Sequence, residues 1–177
     1  MQWPHASGGS LSAHAWSILQ RIVDQATRVF AADRRIIQSR WQAEAYPREN
    51  SLAFANGFYC LFETSEPHPQ VMEKAWVPAS DAWQADAEGC EGLAVLNTVA
   101  LSDTRITCGE CCAAGEDGFI AVSEAATNTL VWLLVLRRTD PFVSVALEED
   151  GVRATSSRGT TVLIPLDRPD QLSITWA

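Results

Sequence analysis

Lysine is almost missing from this chain of 177 residues, where Lys74 is the only one. That leaves little for cradling phosphates through a lysine ammonium or for Schiff-base chemistry. Histidine is nearly as scarce. His5 sits in a Pro- and Gly-containing lead-in, His14 at a helix start and His68 between Pro67 and Pro69, so none is placed where a rigid strand end would present a general base. The glycine-framed nucleophile, phosphate-loop, dinucleotide and zinc-protease signatures are all absent. Long apolar runs are absent too. The strongest covers residues 130–136, far below the about 20 residues that span a bilayer. The first basic residue is Arg21 and no continuous apolar core precedes it, so a secretory leader is not expected. Five cysteines, Cys60, Cys90, Cys108, Cys111 and Cys112, cannot all pair within one chain, and a cytoplasmic protein with reduced thiols is the expectation.

What is present is globular in kind. Hydrophobic residues make up 47% and charged residues 20%, with a net charge of -9 and a pI near 4.7. Affinity for a phosphate backbone is therefore disfavoured, and a charged partner should be basic. The charge is uneven: residues 1–60 carry +2, residues 61–128 carry -10 and residues 129–177 carry -1. Nearly all the acid excess lies in the middle.

The length fits one domain over residues 1–177. Residues 1–10 read as a loose lead-in and residues 11–45 as helical. Apolar positions at Ala15, Ile18, Leu19, Ile22, Val23, Ala26, Val29 and Phe30 mark one face of an amphipathic helix. A second helical stretch over 33–45, with Ile36, Ile37 and Trp41 inward, should stop at Tyr46-Pro47. Residues 51–128 form a mixed acidic segment. Within it, residues 51–63 hold two apolar runs either side of Asn56-Gly57, a hairpin signal, and residues 79–88 suit a short capped helix ending at Gly89. Residues 93–101 fit a strand or a buried helix equally well. Residues 129–177 alternate short β-rich runs with turns such as Asp150-Gly151 and Arg158-Gly159, which predicts an antiparallel meander. The expected fold class is α+β, with N-terminal amphipathic helices packed on a mainly antiparallel meander sheet and residues 130–136 as a central strand.

Cys108-Gly-Glu-Cys111-Cys112 contains the spacing that lets two thiolates share a zinc ion or work as a redox pair. No second close pair accompanies it, so no metal or cofactor is expected, and a small Cys-centred metal-binding or redox enzyme stays the alternative. Paired carboxylates are too many for any pair to be informative. An enzyme is thus disfavoured. Among seven tryptophans, Trp16, Trp41 and Trp132 fit core positions, whereas Trp76 and Trp83 lie among acids. Rings embedded in carboxylates suit recognition of a basic protein surface, with the rings as anchors. The candidate partner-binding residues are Trp76, Asp81, Trp83, Asp86, Glu88, Glu91, Glu110, Glu116 and Asp117.

Trp132-Leu-Leu-Val-Leu, Thr139-Asp-Pro-Phe142, Asp150-Gly151, Thr161-Thr-Val-Leu-Ile-Pro165 and Arg168-Pro-Asp-Gln-Leu172 form a series along residues 118–177. This series resembles small bacterial immunity proteins of contact-dependent and secreted toxin systems. The resemblance implies an acidic cytoplasmic inhibitor, α/β or α+β in fold, that occludes the active site of a cognate toxin; the charge and the short apolar runs lead to the expectation of no nucleic acid and no membrane as partner. A chaperone or adaptor for a secreted effector shares the acidity and the lack of catalysis, and is the second alternative.

Overall fold

The computed structural model describes residues 31–85, 89–111 and 117–177. The lead-in and the amphipathic stretch at 15–30 lie outside them. Residues 31–42 are helical (α1). Strands follow as β1 (Ala45–Tyr46), β2 (Ser51–Phe54), β3 (Phe58–Glu63) and β4 (Met72–Pro78), then helix α2 (Ala79–Ala85). Next come β5 (Cys90–Glu91), β6 (Leu93–Ala100), β7 (Thr104–Cys111), β8 (Gly118–Glu124) and β9 (Leu130–Leu136). The chain closes with β10 (Phe142–Glu148), β11 (Gly151–Ser156), β12 (Thr161–Ile164), a 3-10 turn at Pro169–Gln171 and β13 (Ser173–Thr175).

The molecule is therefore mainly antiparallel β-structure with two helices among the described residues. Seven strands form one sheet in the order β4-β3-β2-β9-β8-β7-β6, and four form a meander, β10-β11-β12-β13. The two sheets face each other across a core that includes Leu52, Ile106, Ile120, Trp132, Leu134, Phe142, Val152 and Ile164. Each such side chain contributes about 1.5–3 kcal/mol by leaving water. The opposite face of the large sheet carries a second core in which Ile37 of α1 and Ala79 of α2 meet Tyr59, Phe119, Leu133 and Val135. This corrects the expected packing. The helical layer lies against the seven-stranded sheet, with the meander on that sheet's far side, because β9 is apolar on both faces and has to be covered twice.

β9 is a middle strand, as its unbroken apolar run predicts, but of the large sheet and not of the meander expected over 129–177, which starts only at β10. Its register slips opposite Val122 and Ser123, where Val131 is the extra residue of a bulge. The slip lets Leu130 and Leu133 both face the helices while Trp132 and Leu134 face the meander. Helix α1 is fixed at this point. The Gln38 side-chain amide donates to the Leu130 carbonyl at 2.9 Å and accepts the Leu130 N–H at 2.9 Å, while the Trp41 indole N–H reaches the Asn128 carbonyl at 2.9 Å. The helix stops short of the expected Ala45, since Glu44 turns left-handed with φ 53° and the chain leaves as β1. Asp33, only 2% exposed, accepts the Ser80 N–H at 2.8 Å and so ties α1 to the start of α2.

The hairpin at 51–63 forms, with a three-residue loop at 55–57 in which Gly57 takes φ 103°. Residues 93–101 resolve in favour of a strand, since β6 pairs along its length with β7.

Candidate functional site

Six of the nine expected partner-binding residues are described; Asp86, Glu88 and Glu116 lie outside the described residues, as does Cys112. Trp76 is 49% exposed on edge strand β4 and stacks on Phe54, with ring centroids 5.3 Å apart. Its cross-strand partner Cys60 faces the inter-sheet core, so Trp76 stands on the meander side of the large sheet. Three residues away, Glu73 adopts φ 50° at a register slip in β4. On the same face as Trp76, Lys74 donates to the Asp170 carbonyl and lies 3.7 Å from its carboxylate. Asp170 also accepts from the Arg168 guanidinium at 3.1 and 3.2 Å, which holds its carboxyl below the ordinary aspartate value.

Trp83 lies in the helical layer, on the other side of the sheet. Its indole is covered by the Arg40 guanidinium at 3.6 Å and donates to the Tyr59 hydroxyl at 3.3 Å. Gly89 approaches the same ring so closely that a Cβ there would stand 2.5 Å from it. Trp83 is thus a packing residue that joins α1, α2 and β3. Around it Arg35 and Arg40 line the groove between the helices. Asp81 is exposed in the first turn of α2.

Glu91 is exposed on β5, opposite Ala45. Glu110, half-buried on β7, sits between Ala94 and Gly118. Five strand spacings separate β7 from β4, about 24 Å. Asp117 is buried, accepts the Arg138 N–H at 3.0 Å and lies 3.6 Å from the Arg137 guanidinium. The described members of the acidic set therefore belong to different layers and edges. Trp76 gathers Phe54 instead, a partner that only the register of β2, β3 and β4 reveals.

The thiols take a different arrangement from the one their spacing suggests. Cys108 faces the inter-sheet core and Cys111 the helical side, because residues three apart on a strand point to opposite faces. One ion cannot be held by both. Cys108 donates to the Phe142 carbonyl at 3.3 Å, and burial pushes its thiol up to about 11. Burial, with Asp117 nearby, pushes Cys111 up to about 12. Neither is poised as a nucleophile. No group of three or more His, Cys, Asp or Glu among the described residues could hold a metal ion.

No helix among the described residues is long and apolar enough to cross a membrane. In comparisons with known proteins, the chain matches no family model, no curated protein and no solved structure.

Proposed function

We propose that this chain is a non-catalytic binding protein that acts in the cytoplasm and neutralises a cognate bacterial toxin by covering its active site. The observation that carries this reading is the Trp76–Phe54 stack. Trp76 stands half in solvent on an edge strand with the partly buried Phe54 of β2 beneath it, and β4 and the following α2 lie in the part of the chain with net charge -10. Such a ring loses little conformational entropy when it seats in a partner's pocket, and the net negative charge of the chain speeds encounter with a basic surface. The buried, high-pKa thiols Cys108 and Cys111 lend no support to a Cys-centred enzyme. Glu73 and Asp81 are the acids nearest in sequence to Trp76, whereas Trp83 and Asp117 hold the fold.

Co-expression with the product of the adjacent gene tests the reading. Wild-type protein is expected to restore growth and bind the toxin domain directly. Trp76→Ala should weaken that binding by about thirtyfold or more, as a central aromatic anchor does. Asp81→Asn should slow association and flatten its salt dependence while leaving dissociation almost unchanged. A partner that remains active while bound would instead mark the chain as a chaperone or adaptor. Full protection by Trp76→Ala at unchanged affinity overturns the assignment of the surface.

A further inference from the structure

At the end of β2 and β3 opposite the 55–57 turn, a cleft of about 410 Å³ opens between the two sheets' connecting segments. Glu63 and Glu66 line it from one side of the chain, Arg137 and Arg138 from another, with Trp176, Asn50 and Thr64 between them. These opposite charges do not pair with one another. Arg137 is engaged by Asp117, and among the described residues Glu63, Glu66 and the Arg138 guanidinium have no ionic partner.

The backbone of the cationic side is held from beneath. Asn50 Oδ1 accepts the Arg137 N–H at 2.8 Å, and buried Asp117 accepts the Arg138 N–H at 3.0 Å where Arg138 takes φ 61°, while both arginine residues are exposed. A non-glycine residue adopts that backbone conformation uncommonly. The aromatic wall is fixed too, since the Trp176 indole N–H donates to the His68 carbonyl at 2.9 Å.

We propose that this cleft binds a small zwitterion, a free α-amino acid with an apolar side chain. Its carboxylate sits on Arg138, its ammonium between Glu63 and Glu66, and its side chain along Trp176. The balance of charge selects this class. A simple anion meets the two carboxylates and a simple cation meets the two guanidinium groups, so each is rejected by the half it does not satisfy. A free amino acid carries both charges on one carbon, whereas a protein's two termini are separate groups. The volume lies within the range of small-molecule sites. The site shares no residue with the Trp76–Phe54 pair and does not depend on toxin binding.

Calorimetric titration of the full chain, with tryptophan fluorescence alongside, tests the assignment. L-leucine or L-phenylalanine is expected to bind with a Kd of about 10 mM or tighter. Isocaproate, which lacks the ammonium, and isoamylamine, which lacks the carboxylate, should each bind at least about tenfold more weakly. Arg138→Gln and Glu63→Gln should each weaken amino-acid binding by about tenfold or more at unchanged melting temperature, and Trp76→Ala should leave it intact. The proposal is overturned if neither amino acid binds at about 10 mM, if isocaproate binds as well as leucine, or if the two charge variants bind like wild type.

Discussion

At the scale of single residues, buried groups that prefer their protonated form dominate the chemistry. Cys108, Cys111 and Cys60 are raised by burial, and Tyr59 is raised by burial against a smaller opposing effect of the Trp83 hydrogen bond. In each case the folded pKa exceeds the unfolded one. The stabilisation is fully present below the ordinary thiol value of 9.0 and is lost as pH rises through the shifted values near 11 and 12. Urea unfolding between neutral and alkaline pH should therefore show stability falling above pH 9.0. Each thiol contributes a slope of at most about 1.4 kcal/mol per pH unit. Cys111→Ala should shallow that slope, and native-state alkylation of Cys108 and Cys111 should be slow at neutral pH. Fast labelling of both in the folded protein would contradict their place in the two cores. Asp170 works in the opposite sense: its lowered carboxyl adds stability above the ordinary aspartate value, and this is lost as pH falls through the folded value.

At the scale of elements, the attachment of α1 decides how the helical layer sits. Gln38 fills both hydrogen-bonding groups of Leu130 just before the Val131 bulge, doing for β9 what a neighbouring strand would do. Gln38→Leu should leave a buried N–H and C=O unpaired and lower stability by about 1–3 kcal/mol, read as a shift of the urea midpoint at unchanged m value. The elements differed in how well the sequence announced them. The strands of the last third were legible because their apolar alternation is broken by Asp150-Gly151 and Arg158-Gly159, and the hairpin because Asn56-Gly57 marks its tip. β4 was not, since MEKAWVP is an exposed edge with no alternation to read. β7 was missed because the cysteine spacing drew attention to metal chemistry, while Gly109 is there to let β6 approach: a Cβ at that position would collide with the Ala94 carbonyl. The exposed Trp76 could be picked out among its acids, yet Phe54 beneath it could not. The Arg138 cleft draws on residues 50, 63, 66, 138 and 176, and no local pattern joins positions so far apart.

At the scale of the whole molecule, the two edges of the large sheet are unlike. Both edges carry a register slip, but β4 also carries Glu73, Lys74 and Pro78, which discourage edge-to-edge pairing. β6 has no charge and no proline along LAVLNTVA, Val95 is 54% exposed, and among the described residues its outer edge has no strand partner. The net charge of -9 keeps copies apart at low salt. Raising the ionic strength should therefore promote self-association through this edge, visible as growing light scattering, and Val95→Lys should suppress it without lowering the melting temperature. Equal scattering by the variant would place the sticky surface elsewhere.

The pairing of β2 with β9 brings Leu52 beside Leu134 at the heart of the sandwich. A ribosome releasing this chain must therefore finish most of it before the central seam can close, and the early hairpin waits with an apolar flank bare until then. Synthesis of this protein thus includes an interval in which holdase chaperones have a greasy ribbon to shield.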